Sequence, residues 1–269
     1  MAYRALAQLL LTVLATTCSG TPASAATPGA ASQRPRASAT SAAGPDGYWT
    51  PWRMATARPV LEEQPRTRTR LTAPPDAVGH PFEGLPQVGT LFWTDGNGAD
   101  RFCGATVVRS PHHNLVIGAG HCLLRPDPRK SLSFVPQYHD GLAPHGVFPV
   151  EHVYIDPRYA ELGPGAGARW DYAVLKLAPR PDGMEVEDVV GGFTLAVETG
   201  FAHAAVRLIG YPGGGDRLHP QPLDCLSSTH VFTSSDPGAP ATSWRSPAPD
   251  TSTAPPAAPS WSGASWATP

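Results

Sequence analysis

The C-terminal part of this sequence lacks the residues that build a hydrophobic core. From Asp236 to Pro269 there is no Val, Ile, Leu, Met, Phe or Tyr. Such a stretch cannot bury enough apolar surface to offset the entropy of the chain, so we predict a low-complexity tail over residues 236–269. The 32 prolines of the 269-residue chain are concentrated toward its two ends. The core must therefore come from the middle of the chain.

The sequence also lacks an excess of basic residues and a long apolar run. A formal net charge of -2 gives no general attraction to nucleic acid or to an anionic membrane. The apolar run at residues 6–15 is shorter than the roughly 20 residues that a membrane-spanning helix needs. With Arg4 before it and the small residues "ASA" ending at Ala25, it predicts a signal peptide over residues 1–25, cleaved near Ala25. Lipid modification at Cys18 is a minor alternative, because "LATTC" is a poor lipoprotein cleavage sequence.

Cysteine is scarce and, after this cleavage, odd in number. Removal of the signal peptide leaves Cys103, Cys122 and Cys225. Cysteines of a secreted protein normally pair. We therefore expect one of them to be free or to have lost its partner.

The composition divides the rest of the chain into three parts. Residues 26–84 are rich in Pro, Ala and Ser and predict a linker. The second half of this linker is interpreted as a removable propeptide or a spacer. Residues 85–235 contain short β-rich runs, and residues 236–269 form the tail. The runs are "VGTLFWTD", "CGATVV", "NLVIGAG", "LSFVPQYH", "FPVEHVYI", "DYAVLKLA" and "AAVRLIGYP", separated by turn signals such as "DGNG" and "DGLAPHG". This pattern predicts an all-β sandwich or barrel, expected to be monomeric.

Two segments carry residues suited to catalysis. In "FCGATVVRSPHHNLVIGAGHCLL", Cys103 and Cys122 bracket a predicted hairpin and His121 lies beside the second cysteine. A disulfide there would fix the backbone next to an imidazole that acts as general base. Asp171, in "RWDYAVLKLAP", precedes an apolar strand, where a carboxylate needs a partner. A histidine Nδ1–H would be such a partner and would have its tautomer set by the contact.

Together these motifs resemble the secreted bacterial chymotrypsin-like serine endopeptidases, in particular the trypsin-like and glutamyl-endopeptidase branch. "CGATVV…GAGHCLL" is similar to the segment around their catalytic histidine, "WDYAVLKLAP" to their aspartate strand, and "VRLIGYP" to a strand of their second barrel. The resemblance implies two Greek-key β-barrels with the active site between them, protein or peptide substrates, and no cofactor or metal. It also implies that His121 is the general base and Asp171 its orienting partner. The family's Thr-Ala-Ala-His-Cys is replaced by Gly118-Ala119-Gly120-His121-Cys122, and the glycines add backbone freedom beside the base.

The family's nucleophile loop, of the Gly-x-Ser-Gly-Gly type, is missing from the sequence. The late serines, Ser252, Ser260, Ser262 and Ser265, lack its flanking glycines, so we predict that none of them is the nucleophile. The second barrel is expected to be incomplete and both ends of the chain disordered. The chain as written should show little or no proteolysis.

The tail becomes informative when its codons are read two nucleotides out of phase. The residues from Pro247 to Gly263 then permit "GPGYVDGTSGGPFLVG", with the serine codon spanning Pro255 and Pro256. A different third base at Pro247 places cysteine first and supplies a partner for Cys225. This reading gives the hypothesis that the recorded chain is a frameshifted version of a complete protease.

Other classes of function remain open at the level of sequence. The alternative to a protease is a noncatalytic binding protein on a protease scaffold. A cell-wall-associated protein with a Pro/Ala/Ser/Thr tail rests on composition alone. A metal site at His112-His113 is disfavoured because no third ligand follows at a suitable spacing.

Overall fold

Short strands dominate the computed structural model, which describes residues 47–60, 79–124, 129–197, 200–211, 221–233, 242–245 and 265–267. The predicted signal peptide, the linker up to residue 46 and most of the predicted tail lie outside these residues. The strands are β1 (Arg58–Pro59), β2 (His80–Pro81), β3 (Val88–Thr94), β4 (Asp100–Val108), β5 (Leu115–Gly118), β6 (Lys130–Pro136), β7 (Phe148–Ile155), β8 (Ala173–Leu177), β9 (His203–Gly210), β10 (Leu223–Thr233), β11 (Thr242–Arg245) and β12 (Ser265–Ala267). The helices are α1 (Pro51–Thr56), α2 (Gly120–Leu123), α3 (Pro157–Ala166, kinked at Gly163) and α4 (Val186–Val190), with a 3-10 turn at Ala168–Trp170.

Six strands close into a barrel. They pair in the order β4-β3-β6-β7-β8-β5, and β5 returns to pair with β4. All of these pairs are antiparallel, while the short β1 adds to β4 in parallel. Closure pairs each of the six strands on both sides over part of its length, and residues 101–102 of β4, which β5 does not reach, pair with β1 instead. The prediction of an all-β barrel fold is confirmed, and each of the seven apolar runs contains one strand.

The turn predicted from the sequence connects β3 to β4. In the predicted turn "DGNG", the Asp95 carboxylate accepts hydrogen bonds from the backbone N–H groups of Asn97 and Ala99, at 2.9 and 3.0 Å. Gly98 has a φ of 81°, a left-handed conformation that glycine adopts without a steric penalty. The Asp95 side chain thus replaces backbone partners in the turn, as Asp commonly does.

Two large apolar clusters organise the described residues, and a third, small one lies in the second sheet. The interior of the closed barrel is filled by large buried side chains of its strands together with the disulfide, among them Leu91, Val107, Val116, Phe134, Phe148 and Leu175. A second cluster joins aromatic residues of the barrel wall to the N-terminal segment and to β9, including Trp49, Phe92, Tyr138, Ile209 and Tyr211. The second cluster therefore links the closed barrel to the second sheet.

The second sheet has the order β11-β10-β9-β12, with β2 paired to β10. Within the described part of the chain this sheet is open. Strands β11 and β12 lie inside the predicted tail, whose composition did not predict them. Strand pairing uses main-chain N–H and C=O groups, so a segment without core-forming side chains can still add to an open edge. None of the helices in the described ranges is long and apolar enough to cross a lipid bilayer.

Candidate active site

Strands β5 and β8 bring the two predicted catalytic residues together. The strands pair antiparallel, with Gly118 opposite Ala173. His121 follows the end of β5 closely, and Asp171 shortly precedes the start of β8. Because antiparallel pairing places the end of one strand beside the start of the next, both residues lie at the same rim of the closed barrel.

Helix α2 holds His121 next to a disulfide. The following residue, Cys122, is bonded to Cys103 of β4 across a sequence separation of 19. Both cysteines are buried. In the chain-entropy model a disulfide that closes a loop of this size stabilises the folded state by about 3 kcal/mol. The bond therefore ties helix α2, and with it the backbone of His121, to the barrel wall.

The Asp171 carboxylate binds His121 through both of its oxygens. Oδ2 lies 2.7 Å from Nδ1 of the imidazole, and Oδ1 accepts the backbone N–H of His121 at 2.7 Å. A carboxylate only accepts hydrogen bonds, so Nδ1 is the protonated ring nitrogen and the lone pair of the neutral ring lies on Nε2. The side chains are 12% and 23% exposed, respectively, for His121 and Asp171. This geometry fixes the tautomer and the orientation of an imidazole that can accept a proton at Nε2.

Gly120 provides the space for this contact. A Cβ at this position would lie 3.0 Å from Cδ1 of Tyr159 and 3.1 Å from Oδ1 of Asp171. Both distances are at the tight limit for a real Cβ. Gly120 is buried at the start of helix α2. Glycine at position 120 therefore leaves room for Tyr159 and Asp171 to pack closely against helix α2.

An ion pair beside the site supports the segment that carries Asp171. Arg158 binds Asp156 at 2.6 Å and lies 4.7 Å from the ring centre of Trp170, so it contacts the residue before Asp171. The hydroxyl of Tyr172, the residue after Asp171, donates to Asp156 at 2.7 Å. The hydrogen bonds from Arg158 and Tyr172 hold the pKa of Asp156 below its ordinary value. This network connects the N-terminus of α3 to both neighbours of Asp171.

Sequence reasoning did not find this network. Asp156 accepts the backbone N–H of Arg158 at 2.9 Å and caps helix α3, and a "D-P-R" sequence is typical of such a helix start. Capping alone gives no indication that the same carboxylate reaches Tyr172. Only the pairing of β7 with β8 brings these segments together.

A cluster of metal-ligating residue types coincides with the site. The side-chain donor atoms of Cys103, His121 and Cys122 lie within 4.8 Å of one another. Both sulfurs are consumed by the disulfide, however, and metal binding requires the thiolate. These three residues therefore cannot form a metal centre while the disulfide is intact.

The late serines lie where the structure gives no side chains. Ser252, Ser260 and Ser262 fall outside the described residues, and Ser265 is described only as part of the backbone of β12. The prediction that none of them is the nucleophile stays a prediction. The disulfide partner of Cys225 is likewise untested, and this buried cysteine carries a free thiol here.

The chain is similar to known proteins in its fold, whereas no match is found at the level of sequence. No family model matches the chain, and no curated protein sequence matches it. Among solved structures, the protease Anisep from Arthrobacter nicotinovorans is similar with a TM-score of 0.52 and 19% identity, covering 70% of this chain and 92% of that chain. The thermostable serine protease AL20, from an extremophilic microorganism, gives a TM-score of 0.47, 23% identity and coverage of 59% and 77%. A Glu endopeptidase in complex with MPD gives 0.45, 18% identity and coverage of 58% and 69%.

The likeness to Anisep, at 19% identity, concerns architecture. It agrees with the closed six-stranded barrel and with the second sheet joined to it through a shared apolar cluster. On this basis the chain has the chymotrypsin-like β-barrel fold.

Proposed function

We propose that this chain is the product of a gene for a secreted serine endopeptidase, with His121 as general base and Asp171 as the residue that orients it. The observation that carries the proposal is the double contact of Asp171 with the ring and the backbone of His121. It occurs at the rim of a barrel whose fold is shared with the protease Anisep. A histidine held by a carboxylate at Nδ1 is the general-base half of a serine-protease triad.

The chemistry follows from this orientation. A serine hydroxyl attacks the carbonyl carbon of a peptide bond while Nε2 of His121 accepts its proton. Asp171 stabilises the imidazolium that forms and keeps Nδ1 protonated. The negative charge on the carbonyl oxygen is stabilised by backbone N–H groups of the nucleophile loop. His121 then gives the proton to the leaving amine. In the second half of the reaction it accepts a proton from the water that attacks the acyl-enzyme and gives that proton to the serine oxygen as the acid product leaves.

The serine of this reaction is supplied only by the shifted reading frame. The permitted sequence "GPGYVDGTSGGPFLVG" contains Ser-Gly-Gly, the arrangement that presents both the nucleophile and the oxyanion-binding amides. We therefore propose that the chain as written is inactive and that the frame-restored chain is the enzyme. The nucleotide sequence from codon 225 to codon 269 tests this directly. An early stop codon, or the absence of Ser-Gly-Gly in the shifted frame, would exclude the frameshift.

A fluorophosphonate probe, which labels activated serines, tests the function. We expect no labelling of the chain as written and labelling of the frame-restored chain. His121→Ala in the restored chain should remove that labelling, because the serine then has no general base. His113→Ala is the matched control, since this histidine pairs with Asp188 on the exposed surface. Labelling of the chain as written that depends on His121 would contradict the proposed loss of the nucleophile.

A further inference from the structure

Residues 47–60, here called the strap, pack against the closed barrel although the sequence predicts them to be part of a linker. Thr50 caps helix α1 by accepting the backbone N–H of Arg53 at 3.2 Å. After the helix, β1 pairs in parallel with β4, placing Arg58 beside Arg101. The strap is therefore built from regular structure and joined to the barrel by main-chain hydrogen bonding.

Buried side chains anchor the strap. Trp49, Met54 and Ala57 are 1%, 2% and 4% exposed. The Trp49 ring lies 5.5 Å from the ring of Phe92, and its indole N–H donates to the backbone oxygen of Ser131 at 2.7 Å. A buried tryptophan with its N–H satisfied contributes a large apolar area without leaving an unpaired donor. These contacts are those of a core element, whereas a spacer would leave such side chains exposed.

A charged contact fixes the position of the strap along the barrel. The Arg53 guanidinium binds Asp100 through two nitrogens, with distances of 2.6 and 2.9 Å to the carboxylate oxygens. It also donates to Thr94 at 3.0 Å and lies 3.9 Å from the ring centre of Tyr48. Thr94 and Asp100 end β3 and begin β4. A two-point guanidinium–carboxylate contact has a defined geometry, so it sets the register between strap and hairpin.

We propose that the strap is a permanent part of the protease domain, docked in a groove of the closed barrel, and that a removable prosegment of this chain ends before Tyr48. The groove, as the term is used here, is the barrel surface that combines contacts for an indole, a carboxylate for a guanidinium and main-chain pairing along the start of β4. The strap also reaches the catalytic region through β6. Ser131, which accepts the Trp49 indole N–H, lies close in sequence to Arg129, whose guanidinium donates to the Leu123 oxygen at the end of α2. Maturation that removed the strap would therefore remove support from the helix that carries His121.

Three chains test the proposal, beginning at residues 26, 47 and 61. The chain from residue 47 should melt within about 2 °C of the chain from residue 26, because both retain the buried anchors and the Arg53–Asp100 ion pair of the strap. The chain from residue 61 should melt at least about 10 °C lower, since several buried anchors are lost together. Equal melting temperatures for all three chains would overturn the proposal.

A synthetic peptide of residues 47–60 tests the groove. It should bind the chain from residue 61 and raise its melting temperature, while a peptide with Trp49→Ala and Arg53→Ala should bind at least about 100-fold more weakly. If the chain from residue 61 does not fold, the yield of native protein on refolding is measured with each peptide. An increase in native yield with the natural peptide, but not with the double-alanine peptide, supports the proposal that the strap is part of the domain. No increase with the natural peptide contradicts it.

The N-terminus of the secreted protein provides a measurement that does not depend on melting. Mass spectrometry should find the mature N-terminus at or before Tyr48. A mature N-terminus after residue 60, with no copy of residues 47–60 in the purified protein, would overturn the proposal. The melting and peptide measurements require neither secretion nor proteolytic activity, so they can fail or succeed independently of the proposed function.

Discussion

At the scale of single residues, Asp171 satisfies two donors of His121 that would otherwise be costly to bury. We predict that Asp171→Ala lowers the free energy of unfolding by about 1–3 kcal/mol, because the backbone N–H and the ring N–H both lose their acceptor. Asp171→Asn should cost less, since its amide oxygen can still accept one of these bonds. Urea unfolding followed by circular dichroism measures both changes.

A matched variant separates this effect from the loss of any acidic residue. Asp182 pairs with Arg180 on the surface and its side chain is 51% exposed. Asp182→Ala should therefore change the free energy of unfolding by less than about 0.5 kcal/mol. Equal effects of Asp171→Ala and Asp182→Ala would show that the contact with His121 contributes nothing specific.

Gly120 gives a second prediction, in which two known effects oppose each other. Alanine favours a helix over glycine by about 1 kcal/mol, but a Cβ at Gly120 would crowd Tyr159 and Asp171. We expect the crowding to outweigh the helix preference of alanine. Gly120→Ala should therefore destabilise the protein by about 1–3 kcal/mol, as overpacking usually does. Thermal melting of Gly120→Ala, Tyr159→Leu and the double variant measures this. If the ring is the obstacle, the double variant loses less stability than the sum of the single variants.

The residues of the site differ in how far sequence can predict them. His121 and Asp171 belong to motifs with a local signature, so the sequence indicates both of them. Asp156 and Arg158 act on Trp170 and Tyr172 through contacts that exist only after β7 and β8 pair. Such contacts depend on tertiary geometry, and a single sequence contains no local pattern for them.

At the scale of secondary structure, β10 carries the free cysteine of the described residues. Cys225 is 3% exposed, and burial, assisted by the charge of Asp224, raises the pKa of its thiol above the ordinary value of 9.0. The folded state thus favours the neutral thiol. The resulting contribution to stability is present below pH 9.0 and is lost as the pH rises through the raised pKa. We predict that the thiol reacts with a disulfide reagent at pH 8 at least about 10-fold faster in urea than in buffer.

A thiol count with and without denaturant checks this prediction. The unfolded, unreduced chain without its signal peptide should show one reactive thiol, since Cys103 and Cys122 are paired. Cys225→Ser is the control and should show none under either condition. Fast reaction of Cys225 in the native protein would mean that β10 is not packed as described.

Strands were predictable where apolar residues provide the pairing surface. Each of the seven runs contains a strand because its side chains alternate toward the barrel interior or fill it. Strand β10 was not among them, since "LSSTH" has few apolar residues and its strand conformation depends on pairing with β9. The strap was also missed, because its buried residues Trp49, Met54 and Ala57 follow neither a helical nor a strand period over a useful length.

At the scale of the whole molecule, one apolar cluster holds the two sheets together. Ile209 and Tyr211, at the end of β9, belong to the same cluster as Trp49, Phe92 and Tyr138. The Tyr211 hydroxyl also donates to the backbone oxygen of Tyr138 at 2.7 Å. The end of β9 is therefore one place where the second sheet is attached to the closed barrel, and Gln221, just before β10, adds a hydrogen bond to Asp140 at 2.9 Å.

The second sheet and the loop before it expose large apolar side chains, including Leu195 (60%), Val197 (74%), Leu226 (61%) and Val231 (52%). If the shifted frame encodes the segment that covers this surface, the frame-restored chain should bind less of an apolar dye and melt at a higher temperature with a sharper transition. The chain as written should bind the dye and associate, because an open sheet edge and exposed apolar residues favour aggregation. Dye fluorescence, calorimetry and light scattering on both chains measure these differences. A sharp transition in a monomeric, dye-free chain as written would instead favour a noncatalytic binding protein, since such a molecule must be stable without the nucleophile loop.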